Sequence, residues 1–276
     1  MVEIDNLVLG KGFMGVAVYK ALEGDKMLVY EDVPEGASKS AAGIISEYWY
    51  VASTIRSQYH YPFNLKFVKE GVAWLNFNGA KLTPVPELKK NILTNNQKWI
   101  DGTWLLWNKD EYLNSVTGNK EKITAIDTIN NIVTTDKNTY RANKLYICLG
   151  VGVLEFIDMP IKPLKGEAMF VKDEDSTLIT EYVAPYTHFT SRPWSKGIKR
   201  IGDTTRKSHM GYLQSRFGEK LMEITTGFRP YPTEKAYVFH KVDSSFVFTS
   251  GGRVGLGLSG MVGNNLKKLI NGEIRF

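Results

Sequence analysis

The chain has a single cysteine, Cys148, in 276 residues. One thiol cannot form an intramolecular disulfide, and a lone cysteine suits a reducing cytoplasm. Its setting, KLYICLGVG, is a strand-like apolar run, so Cys148 reads as a small buried core residue. No apolar run reaches the roughly 18–20 residues that a membrane span needs. The opening Met1-Val2-Glu3-Ile4-Asp5 is acidic and lacks a basic segment, so no signal peptide is expected. Histidine is scarce as well. His60, His188, His209 and His240 form no close pair at metal-ligand spacing, and no metal is expected. Repeats, low-complexity tracts and Pro/Ser-rich linkers are missing, and the only adjacent lysine pairs are Lys89-Lys90 and Lys267-Lys268.

The 35 basic and 29 acidic residues leave a net charge of +6. A balance of this size can help attract a phosphorylated ligand or nucleic acid, but scattered lysines on a solvated surface explain it equally well. With 43% hydrophobic and 23% charged residues, the composition is that of a globular protein with a substantial core. The length suits one large domain or two interleaved ones.

The first segment reads as strand Ile4–Leu9, glycine turn, helix Phe13–Leu22 and strand Met27–Glu31, a βαβ opening. Helical patterns follow over Glu47–Ser57 and Leu65–Phe77 in an aromatic-rich stretch. The runs KITAIDTI and IVTTD flank Asn130-Asn131 and predict a hairpin, and NKLYICLG predicts a buried strand ending in glycine. EAMFVK, LITEYVAP and IKRIGDTT predict further strands, and a helix is expected over Met210–Ile224. SFVFTSGG then reads as a strand running into glycines, with a helix through Leu269. The first and last segments are thus both strand–glycine–helix units, which can share one sheet.

VLGKGFMG places Gly10, Gly12 and Gly15 in G-x-G-x-x-G spacing between a strand and a helix. Gly10 makes the tight turn, Gly12 admits a pyrophosphate close to the backbone, and Gly15 lets helix and strand pack closely. The helix start at Phe13 and Met14 supplies unpaired N–H groups and partial positive charge. Glu31 ends the second strand, where a carboxylate accepts hydrogen bonds from a ribose hydroxyl pair. The four conditions together predict a dinucleotide site.

The run Gly36-Ala37-Ser38-Lys39-Ser40-Ala41-Ala42-Gly43 resembles the FAD-binding segment of the D-amino-acid oxidase/glycine oxidase family. Further landmarks resemble that family in the same order: YRANKLYICLGVGV, IKPLKGEAMFV, RIGDTT, GFRP and FTSGGRVGLGLSGMVGNNLKKLI. The resemblance implies an α/β fold, with a Rossmann-like, glutathione-reductase-like FAD-binding domain carrying a β-meander and interleaved with a small α+β substrate domain. Residues 1–43, 115–159 and 246–276 are expected to bind FAD, and 44–114 and 160–245 to form the substrate domain. Ser38, Lys39, Ser40, Ala41, Ala42 and Gly43 are implied to wrap the diphosphate and approach the flavin ring. Gly150 is implied near the adenine half. Gly252, Arg253, Val254, Gly255, Leu256 and Gly257 are implied at the flavin's pyrimidine end.

In the family an amine beside a carboxylate gives a hydride to the flavin, and the imine hydrolyses; no metal or protein nucleophile is needed. A carboxylate substrate calls for an arginine fork. Arg229 of GFRP is the implied candidate and Arg253 the second, with Tyr48, Trp49, Tyr50 or Tyr182 as aromatic caps. The chain is shorter than the family usually runs, and the continuation after GFRP, YPTEKAYVFH, departs from the family pattern. Three readings follow. The first is oxidation of a free small amine or amino acid. The second is the same chemistry on a glycine-like group attached to a nucleobase in DNA or RNA, as in flavin domains acting on modified transfer RNA or phage DNA. Tyr48-Trp49-Tyr50, Tyr59-His60-Tyr61 and Trp104–Trp107 would then offer stacking faces. The third is a non-catalytic flavoprotein binding module.

Overall fold

A computed structural model describes residues 1–33, 36–47, 65–91, 94, 96–172, 179–184, 187–195, 198–203, 221–233, 238–249 and 254–275. Strand β1 (Val2–Leu9) buries Leu7, Val8 and Leu9 completely. Alternation sends Val8 into the core on one face of its sheet and Leu7 and Leu9 into the core on the other. A strand covered on both faces is the expected home of such a run, and β1 pairs in parallel with β2 (Lys26–Tyr30) and β11 (Thr139–Ile147). Helix α1 (Phe13–Ala21) connects β1 to β2, as the sequence predicts.

The large sheet runs β17 (Phe239–Val242), β18 (Ser245–Phe248), β11, β1, β2 and β8 (Asn119–Lys120). The predicted hairpin is β9 (Ile123–Asp127) and β10 (Ile132–Thr135), which joins β11 antiparallel to form a meander. Asn131 turns the chain there at φ +52°, a left-handed conformation that asparagine tolerates. The first and last strand–glycine–helix units do share this sheet, since β18 pairs in parallel with β11. The final helix, α5 (Gly255–Ile270), packs against α1 and against α3 (Leu65–Phe77), which forms over the predicted residues.

A second sheet has the order β16 (Leu221–Pro232), β12 (Ile161–Lys172), β15 (Ile198–Asp203), β14 (Thr187–Ser195), β13 (Ile179–Ala184), β5 (Glu87–Asn91) and β6 (Gln97–Ile100). A third joins β3 (Ile44–Ser46), β7 (Thr103–Leu106) and β4 (Leu82–Pro84). Two short helices, α2 (Ala37–Ser40) and α4 (Lys109–Asn114), and a 3-10 turn over Gly150–Glu155 complete the described elements.

One expectation is corrected. Leu221–Ile224 do not end a helix; they open the 12-residue strand β16. Leu221, Met222 and Glu223 favour helix locally, but a long antiparallel ladder with β12 supplies backbone partners and outweighs that preference. Residues 210–220 of that expected helix, and 48–57 of the one expected from Glu47, lie outside the described residues. Among the described residues no helix is long and apolar enough to cross a membrane.

Candidate functional site

The C-terminal ends of β1, β2, β11 and β18 open on a cavity of about 1030 Å³, walled on its far side by β12 and β16. The glycines at its base each answer a spatial demand. Gly10 sits at φ +96° and donates its N–H to Val29 O at 2.8 Å. A Cβ there would lie 2.6 Å from the carbonyl oxygen of Cys148. At Gly12 a Cβ would stand 2.9 Å from Ser38 Oγ, and at Gly15 it would strike the Gly10 carbonyl oxygen. Only a bare backbone lets β1, α1 and β11 approach this closely.

Helix α1 therefore begins against the cavity, with Gly12 as its cap and no acidic residue in its first turn. Its N–H groups and dipole favour an anion. Phe13 N–H donates to Ser38 Oγ at 3.0 Å, tying α2 across the helix start. Phe13 and Met14 reach the cavity beside Gly10 and Gly12, while Gly15 lies behind them at the packing contact.

Glu31 follows β2, is exposed and lines the cavity. The next residue, Asp32, pairs with Lys39 and, at 3.2 Å, with Lys120. Hydrogen bonds from Lys39 and Lys120 hold the Asp32 carboxyl below the ordinary aspartate range. The predicted diphosphate segment lines the cavity from Ser38, Lys39 and Ser40 through Ala41, Ala42 and Gly43. Gly43 turns at φ +68°, and its carbonyl accepts from Leu106 N–H at 2.8 Å. The segment is also pinned to the second sheet, because Gly36 bridges to Phe228 of β16.

Gly150 lines the cavity at φ +62°, with open space where a Cβ would project. At the start of α5, Gly255 and Leu256 line it too, whereas Val254 and Gly257 are buried behind them and are not lining residues. Arg229, half-buried on β16, reaches the same cavity. Gly252, Arg253 and the aromatic residues Tyr48, Trp49, Tyr50, Tyr59 and Tyr61 lie outside the described residues. Tyr182 belongs to β13, separated from β16 by β14, β15 and β12.

Two cavity residues escape the sequence reading. Thr249, at the end of β18, is 3% exposed, lines the cavity, and has no hydrogen-bond partner for Oγ1 among the described residues. A buried hydroxyl without a partner is costly unless a ligand supplies one. The hydroxyl between a buried strand and the Ser250-Gly251-Gly252 run was the available signal. Gly166 of β12 lies beneath the Arg229 side chain. Cys148 also borders the cavity, but burial pushes its thiol well above the ordinary range and keeps it protonated. Among the described residues no group of three or more His, Cys, Asp or Glu could hold a metal. The cradle of bare backbone, the helix start and the orphan hydroxyl fit a dinucleotide.

A parallel sheet with a glycine turn, a meander and a second, largely antiparallel sheet over the cavity is the fold of FAD-dependent oxidases of the amino-acid oxidase type, as expected from the sequence. The chain is similar to glycine oxidase from Geobacillus kaustophilus, with TM-score 0.76 and 15% identity, covering 98% of this chain and 95% of that one. It is similar to iminodiacetate oxidase from a Chelativorans species, with TM-score 0.70, 11% identity and coverage of 97% and 95%. The FAD-bound L-alpha-glycerophosphate oxidase from Mycoplasma pneumoniae gives TM-score 0.70, 13% identity and coverage of 98% and 95%. No protein-family model matches the sequence, and no curated protein does. The likeness is one of fold.

Proposed function

We propose that this chain binds FAD and oxidises the C–N bond of a glycine-like amine. The observation that carries the reading is one cavity bordered by both the glycine cradle and the Arg229 guanidinium. The two sheets divide the work: the parallel sheet with β17 and β18 holds the cofactor, and β12 and β16 present the substrate. Bound FAD would supply the hydride acceptor. The α1 start and Ser38 hold the diphosphate, Glu31 takes the ribose hydroxyls, and Thr249 donates its hydroxyl to the cofactor. Arg229 receives the substrate carboxylate as a bidentate fork and thereby fixes the carbon that loses hydride. Arg253 is the second candidate for that charge. A single, buried thiol fits a reducing compartment, and the cytoplasm is the proposed location.

The test is the visible spectrum of the purified protein, recorded anaerobically before and after adding glycine and its N-methyl derivatives. Bleaching of a flavin spectrum supports a free-amine oxidase, and Arg229→Leu should then abolish it. A second reading, the same oxidation on a glycine-like group carried by a nucleobase, draws support from Trp99, 59% exposed beside exposed Lys98 on the edge strand β6. It expects a flavin that free amines leave oxidised, and salt-sensitive binding of nucleic acid.

A further inference from the structure

Glycine inside a long strand weakens it, and it often marks a place where something must approach the backbone closely. Gly166 stands well inside β12, opposite Gly227 of β16. Its φ is not in the left-handed region, so the backbone at 166 does not itself require glycine. The requirement is one of space. The three atoms nearest to a Cβ built on Gly166 are Nη2, Nε and Cζ of Arg229. Cζ would lie at 3.3 Å and Nε at 3.5 Å, with Nη2 in collision. No backbone atom is among the three.

Strand register explains the contact. Arg229 pairs with Leu164, and Gly227 pairs with Gly166, so Arg229 and Gly166 are diagonal neighbours on one face, with a single pair between them. The arginine side chain runs along the strand pair and lies over bare peptide, and Gly166, Gly227 and Arg229 all border the cavity.

We propose that Gly166 is a positioning residue whose missing Cβ sets how deep the Arg229 guanidinium lies in the substrate site. The inference rests on the reading of Arg229 as the carboxylate receptor. The nearest atoms an alanine at 166 meets all belong to the flexible Arg229 side chain. The fold absorbs it, and what changes is the place of one cation.

Acetate serves as the probe carboxylate, titrated into the FAD-loaded protein and followed by the visible flavin spectrum. Four forms are compared: wild type, Gly166→Ala, Arg229→Leu and the double variant, with thermal midpoints measured alongside. Gly166→Ala should keep the flavin and raise the acetate Kd roughly tenfold. Arg229→Leu should lose the acetate response, and in that background Gly166→Ala should lower neither flavin content nor thermal midpoint further. Failure of Gly166→Ala to fold with Arg229 present, but not in the Arg229→Leu background, overturns the proposal, because the glycine would then serve packing and not the depth of the cation. Wild-type acetate affinity in Gly166→Ala, with Arg229→Leu deficient, overturns the proposal and leaves the reading of Arg229 intact. Equal damage from alanine in both backgrounds also overturns it, because the glycine would then serve the backbone. Undiminished acetate binding by Arg229→Leu removes the reading of Arg229, and the proposal with it.

Discussion

Thr249 offers a test of the cofactor site that leaves every glycine in place. Its hydroxyl is buried and has no partner among the described residues, a burial that costs the cofactor-free protein about 1–3 kcal/mol. Thr249→Val keeps the shape and removes that cost. The apoprotein should therefore gain about 1 kcal/mol in urea denaturation, while FAD affinity falls roughly tenfold in a fluorescence titration. Gly10→Ala should have the opposite effect on stability. It forces a side chain into φ +96° and against Cys148 O, so it should lower both apoprotein stability and flavin content. The residues legible in the sequence, Gly10, Gly12 and Gly15, are those whose purpose is expressed in fixed spacing along one chain segment. Gly166 was not legible and Thr249 only faintly so, because each is defined by what faces it across the fold: a side chain from another strand in the first case, the cavity in the second.

Among the elements, α3 packs on α5 with no room for a Cβ at Gly260. A Cβ on Gly260 would lie 2.5 Å from Gly71 O and 2.7 Å from Leu75 Cδ1. Gly260→Ala should destabilise by about 1–3 kcal/mol through overpacking, seen as a lower urea midpoint with an unchanged m-value. The meander adds a charge to this scale. Burial works against ionised Glu121, yet hydrogen bonds from Thr135, Tyr140 and Asn138, together with Lys137, more than offset it and hold its carboxyl below the ordinary 4.5. A lowered folded-state pKa stabilises the fold above the unfolded value and loses that contribution as pH falls through the folded one. Thermal midpoints should thus fall on acidification below about pH 4.5, and Glu121→Gln should flatten that slope. Elements set by their own residues, such as α1, α3 and the hairpin at Asn131, were legible in the sequence. The start of β16 was not, because its conformation is decided by pairing with β12.

For the molecule as a whole, the cavity lies between two sheets, with Gly36, on the segment after β2, bridged to Phe228 of β16. A ligand filling it ties both together and binds only the folded chain. Added FAD should then raise the thermal midpoint in a concentration-dependent way, the stabilisation reaching about 2.7 kcal/mol at a hundredfold excess over Kd. Removing the flavin should reverse the gain. Calorimetry at several FAD concentrations measures it, and an unmoved midpoint would argue against a cofactor at this site.

The order of strands in the large sheet also sets a timetable for the growing chain. Residues 6–9 pair early with residues 26–29, but β1 finds its second partner only at residues 140–147, and the far end of that partner meets β18 only at residues 246–247. A ribosome adding about 5–20 residues per second leaves one edge of β1 without its partner for many seconds. Parallel pairing over such separations is slow once it becomes possible. Recovery of active protein should therefore depend on temperature and on chaperone supply during synthesis more than the stability of the finished molecule suggests.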